Sequence, residues 1–156
     1  WLKKLNESML CFYKRSNMRN TLIIMLVIFI AMQFFQVEHT NPKTDVALEI
    51  QAPQEVKTIL KKSCFDCHSN EVKYPWYANI APVSWMISRH VNNARSLVNF
   101  STWESYTQEE KDKKLKEIFR AVYAAMPLPS YLSVHDEAQL SKEERTLVRE
   151  WIGYSK

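Results

Sequence analysis

The chain has 156 residues, 46% hydrophobic and 24% charged, with three cysteines and a formal net charge of +4. Such a length suits one domain with an appendage. The charge gives no nucleic-acid site: residues 1–20 hold five cations (Lys3, Lys4, Lys14, Arg15 and Arg19) against Glu7, and the remainder balances at 16 basic and 16 acidic residues, with no basic patch for phosphate.

From Asn20 to Val37 the chain carries 18 uncharged residues. As a helix they would rise ~27 Å, against a hydrocarbon core of ~30 Å. No small-x-small cleavage pattern follows, so the run reads as an uncleaved signal anchor and not a signal peptide. Residues 21–37 form the predicted transmembrane helix, in contact with membrane lipid. The cations of the flank 1–20 place the N-terminus in the cytoplasm and everything after Val37 outside. The chain opens on Trp1, and Met18-Arg19-Asn20 before the apolar run resembles a start, which makes 1–17 upstream sequence by this reading. Cys11 stands alone before the apolar run and reads as an incidental thiol. Residues 38–52 are polar and read as a tether, with His39 a solvated loop residue.

Pro53 suits a first helical turn, and Val56, Ile59 and Leu60 follow at helical spacing into Cys64-Phe65-Asp66-Cys67-His68. A C-x-x-C-H run is the attachment pattern of c-type haem. On a helical turn, Cys64, Cys67 and His68 share one face. Two thiols then meet one haem while the imidazole of His68 reaches its iron as proximal ligand. Its second ring nitrogen is expected to donate to a backbone carbonyl. A zinc site would need four ligands, and His90 and His135 lack paired spacing. A thioredoxin-like redox pair would need a βαβ setting, and no strand pattern is present.

Pro75 and Pro82 exclude a regular helix between Ser69 and Pro82. The rings of Tyr74, Trp76 and Tyr77 there are expected as core and haem wall. Val83 to Val98 has a 3.6 period, with Val83, Met86, Ile87, His90, Ala94, Leu97 and Val98 on the expected buried stripe and Arg89, Asn92, Arg95 and Ser96 outside it. Ser101-Thr102-Trp103 reads as a turn. Thr107-x-x-Glu110 opens a helix that places Leu115, Ile118, Phe119, Val122 and Met126 on one face and ends before Pro127. Met126 to Tyr131 reads as an extended loop. Ser141-x-x-Glu144 opens a last helix, closed by Gly153. The architecture expected is all-α: a small cytochrome c-like domain over residues 53–156 around one covalent haem, after a single transmembrane helix.

Several runs carry a resemblance: Cys64-Phe-Asp-Cys-His-Ser-Asn70, Tyr74-Pro-Trp-Tyr77, Ile80-Ala-Pro-Val-Ser-Trp85 and Met126-Pro-Leu-Pro-Ser-Tyr131. Over roughly residues 50–153 the chain resembles the bacterial haem-binding-domain proteins, membrane-anchored and cytochrome c-like. The resemblance implies covalent haem c and export across the cytoplasmic membrane, and no catalysed reaction. The order of elements also looks like that of a small class I cytochrome c. The function expected is therefore single-electron transfer to an unidentified redox partner on the periplasmic side of the bacterial inner membrane, by a carrier and not an enzyme. A haem sensor or a peroxidase, each with an open sixth position, is the alternative. Met126, 58 residues after His68 and stiffened by Pro127, is the expected sixth iron ligand, with His90 the alternative.

Overall fold

The computed structural model describes the backbone of residues 2–153 and the side chains of residues 17–153. Cys11 and the cations Lys3, Lys4, Lys14 and Arg15 therefore lie outside the described side chains. The fold is all-α: among the described residues there is no strand. The helices are α1 (Leu2–Met32), α2 (Gln54–Ser63), α3 (Phe65–His68), α4 (Val83–Leu97), α5 (Gln108–Ala124), α6 (Pro129–Leu132) and α7 (Lys142–Ile152). The chain falls into two compact units, one running to Val37 together with Trp76–Met86, the other formed by Glu38–Pro75 and the chain from Ile87 on.

In the first unit, the apolar run does not stay helical to Val37. Gln33, Phe34 and Phe35 bond three residues back, to Ile30, Ala31 and Met32, a tightened turn of the kind that ends helices. The amide of Gln33 donates to the carbonyls of Phe29 (2.9 Å) and Ala81 (3.1 Å) and accepts from the N–H of Ala81 (3.0 Å). Trp85 donates to the Phe35 carbonyl at 2.7 Å. The helical residues from Thr21 to Met32 thus rise only ~18 Å. Among the described residues no helix is long and apolar enough to cross a membrane, so the transmembrane helix expected over 21–37 is not supported by the structure, whose helix ends at Met32. Its side chains from Leu22 to Ile30 are nevertheless all exposed.

The second unit holds the core. Val56, Ile59 and Leu60 of α2 turn inward with Ile50, Phe65, Val98, Phe100, Trp103, Ile118, Val122, Leu140, Val148 and Ile152. Burial of a side chain such as Leu60, wholly hidden, stabilises by about 1.5–3 kcal/mol. Both expected capping boxes are present: Thr107 with Glu110 opens α5 and Ser141 with Glu144 opens α7. Gly153 ends α7 with φ of 80°, a left-handed conformation that glycine adopts without strain. α7 packs on α5 and α2, and Lys62 meets Glu144 at 2.5 Å across the α2–α7 seam.

Residues 38–52 are not a loose tether. Glu49 and Ile50 are buried, and the Ile50 N–H donates to the Phe100 carbonyl at 2.9 Å. Asn41 bonds both backbone groups of Val72, and the guanidinium of Arg95 donates to the Thr40 carbonyl and to Asn41 Oδ1, each at 2.9 Å. His39 stacks on Tyr74 with ring centres 4.3 Å apart. The segment is a strap fixed to the domain.

Candidate haem site

The turn that carries the motif is built on one carbonyl. α2 ends where the Cys64 N–H donates to the Leu60 carbonyl (2.8 Å); the Cys64 carbonyl then accepts from the N–H groups of Cys67 (3.1 Å) and His68 (2.9 Å). That single helical turn sets Cys64, Cys67 and His68 on one face. Its exit is fixed by Ser69, whose hydroxyl donates to the Phe65 carbonyl at 2.8 Å and whose carbonyl accepts from Arg95 Nε at 2.7 Å.

His68 points its Nδ1 at the end of α4, 3.1 Å from each of the carbonyls of Ala94 and Val98. The Ala94 carbonyl also accepts the Val98 N–H at 2.9 Å, whereas the Val98 carbonyl lies past the helix end, where helical donors run out, and the imidazole supplies one. A carbonyl accepts only, which places the proton on Nδ1 and leaves Nε2 with the free lone pair. Such a second-sphere bond fixes the tautomer and makes the free nitrogen a better metal ligand. The neighbouring Leu97 carbonyl is taken by Lys114 Nζ at 2.5 Å, with the ammonium over the Tyr106 ring at 4.3 Å.

A cavity of about 290 Å³ opens in front of this turn, near the lower end of small-molecule pockets (~300–1,000 Å³). The motif forms one wall with Ser63, Cys64, Cys67 and His68. A second wall comes from α4 (His90, Asn93, Ala94, Leu97), a third from α5 (Glu117, Ile118, Ala121, Val122), and the fourth is the loop Met126, Pro127, Leu128 and Tyr131. Phe100 lies behind, its ring 6.0 Å from that of His68. The floor is apolar and buried, whereas His90, Asn93, Leu97 and Glu117 are exposed at the rim.

Burial dominates the electrostatics. The Cys64 thiol is pushed up to about 12 by burial and by neighbouring Cys67. Cys67 is raised by burial and by the Asp66 carboxylate, against a lowering by Arg95. Both thiols are thus held protonated. Burial lowers His68, opposed by its two carbonyl bonds, so the imidazole is neutral at pH 7, the form that binds metals.

All five residues singled out from the sequence, Cys64, Cys67, His68, His90 and Met126, stand on this one cavity. Their surroundings differ from expectation in three respects. His90 is exposed at the rim instead of lying mid-way along a buried face, and Val83, Met86 and Leu97 are exposed too; the hidden residues of α4 are Ser84, Val91 and Ala94, followed by Val98 just past its end. His90 and Leu97 share the helical period of Ala94 because they line the cavity rim, not because protein covers them. Met126 leaves α5, which ends at Ala124; its N–H donates to the Ala121 carbonyl at 2.8 Å, and its carbonyl accepts from Arg145 Nη1 at 3.1 Å. The loop that follows is partly helical, as α6. Lastly, Tyr74 stacks on His39 and Trp76 is exposed, so the aromatic side chains of the cavity are Phe100 and Tyr131 instead. Arg145, which also donates to the Val122 carbonyl, had no sequence signal, since a tertiary contact alone brings it to the loop.

The donor set fits haem. Two thiols and an imidazole with a free Nε2 share one face, a thioether-bearing loop shares the same cavity, and the walls between are apolar. The buried hydroxyl of Ser63, on the same wall, has no hydrogen-bond partner, as expected of a group at the edge of an incomplete core. No curated protein and no solved structure matches the chain. Residues 27–153 match the model of the haem-binding domain, and with most of its length so covered the chain belongs to the haem-binding domain family.

Proposed function

We propose that the protein is a membrane-anchored monohaem c-type cytochrome that carries single electrons outside the cytoplasmic membrane. The carrying observation is that Cys64, Cys67 and the Nδ1-anchored His68 share one apolar cavity with Met126. Each thiol sulfur would bond one carbon of a haem vinyl group and pass its proton to the other, so that nothing is lost or oxidised. Haem supplies a one-electron iron couple when bound. His68 would hold the iron through Nε2, and the thioether of Met126, at a residue whose carbonyl is pinned by Arg145, would be its second protein ligand. The apolar walls of Ala94, Val98, Ile118 and Val122 exclude water and favour the less charged, reduced iron. The exposed rim at Leu97 and Asn93 is the edge through which an electron would pass to a redox partner.

Anchoring is supported by the helix from Leu22 to Ile30, which is apolar all round and exposed throughout, a pattern suited to lipid. The cations of the N-terminal flank then favour the haem domain on the outer, periplasmic side.

His90 at the rim of the same cavity supports the second reading, a gas sensor or peroxidase with an open sixth position. Absorption spectra of the oxidised and reduced protein, with and without carbon monoxide, separate the two. A carrier gives a sulfur-to-iron charge-transfer band when oxidised and resists carbon monoxide when reduced. Ready carbon monoxide binding by the wild type would remove Met126 from the iron and give the second reading the lead.

A further inference from the structure

The loop of the distal methionine and the turn of the attachment motif are far apart in sequence, yet one side-chain pair ties them across 65 residues. The hydroxyl of Tyr131, five residues after Met126, donates to Asp66 Oδ2 at 2.7 Å, and Asp66 lies between the two cysteines of the motif. Its other oxygen, Oδ1, accepts from the Lys73 N–H at 3.4 Å. The Tyr131 ring is held flat against His135, with ring centres 4.5 Å apart at 20°, and the loop's own bonds, Leu132 and Tyr131 N–H to the Leu128 carbonyl at 3.0 Å, make α6 a stiff arm. A hydrogen bond to an ionised acceptor is about twice as strong as a neutral one.

We propose that Tyr131 is a positioning residue that clamps the Met126 loop to the attachment turn through Asp66, so that the proximal motif itself sets the distal ligand's place. This rests on the haem reading above for its consequence at the iron, but the clamp is a property of the chain. Opening the loop must break the Tyr131–Asp66 bond, and the thioether leaves with it.

The test uses full-length protein purified with its haem. Hydrogen exchange is followed over residues 126–133, with α7 as internal reference. Tyr131→Phe is expected to speed exchange in the loop about tenfold, the share of one charge-assisted bond, with α7 unchanged. Asp66→Ala should do the same and the double variant no more, whereas Asp66→Asn, which keeps an acceptor oxygen but loses its charge, should speed exchange only about threefold. Carbon monoxide should enter reduced Tyr131→Phe faster by a similar factor. Unchanged loop exchange in Tyr131→Phe, or equal acceleration in α7, would overturn the clamp. A wild type without the charge-transfer band, but with loop exchange still sensitive to Tyr131→Phe, would instead overturn methionine ligation and leave the clamp standing.

Discussion

The Nδ1 atom of His68 sits 3.1 Å from the carbonyl oxygen of Val98, just past the last residue of α4. The partial negative charge at a helix C-terminus meets an N–H there, and Ala94 offers a second acceptor at the same distance. The His68 imidazole is therefore oriented by the end of α4, 26 to 30 residues away in sequence, and not by its own short helix.

His68→Met tests this role. It keeps a side chain able to bind iron but removes the N–H, taking the imidazole donor from the Val98 carbonyl and leaving the Ala94 carbonyl with the Val98 N–H alone. We expect a loss of about 1–3 kcal/mol, read as a lower urea midpoint with unchanged slope. A midpoint equal to wild type would mean that water replaces the imidazole without cost.

Arg95 joins three segments through Ser69, Thr40 and Asn41. Arg95→Ala should cost roughly 2 kcal/mol, and strap residues 40–44 should become the first site of proteolysis. Arg95→Lys should recover little, because a single ammonium lacks the planar fork that reaches all three acceptors. Full recovery by lysine would reduce the role of Arg95 to its charge.

How far the sequence reached is clearest at the helix ends. Thr107-x-x-Glu110, Ser141-x-x-Glu144 and Gly153 are local signals, and the structure forms each as read. The strap 38–52 was not legible, because its order comes from distant partners such as Phe100 and Arg95. Periodicity on α4 reaches only part of the hidden face: Ala94 and Val98 are buried as expected, but Ser84 and Val91 are buried beside them while Val83, Met86, His90 and Leu97 are exposed, because a 3.6 repeat does not distinguish a cavity rim from a core. The end of α1 at Met32 was hidden for the same reason as the strap, since Gln33 is held by Ala81, 48 residues on.

Acid should loosen the α2–α7 seam. The Glu144 carboxyl is held below its ordinary 4.5 by the Lys62 ammonium and by the Ser141 N–H. A depressed carboxyl contributes stability above its unfolded value and loses it as pH falls through the folded one. Partial exposure limits the effect to about 1 kcal/mol. Between about pH 5 and 3, wild type should lose that much more stability than Glu144→Gln, by urea titration at each pH. Parallel curves would show that the seam does not titrate.

The exposed helix should hold the protein to membranes. Full-length protein in a bacterial host is expected in the membrane fraction, resistant to carbonate and released by detergent. Leu26→Glu together with Ile28→Glu should shift most of it to the soluble fraction, since each charge in the hydrocarbon costs several kcal/mol. Wild-type protein released by carbonate alone would make α1 a peripheral contact.

Covalent attachment at Cys64 and Cys67 is tested most directly by the denatured mass of the intact chain. Full-length protein from a host with cytochrome c maturation should weigh one chain plus one haem after acid and organic solvent. Cys64→Ala with Cys67→Ala should weigh the unmodified chain, and either single variant should keep haem by one bond or lose it. An unmodified mass for the wild type, with haem released into the solvent, would contradict the attachment.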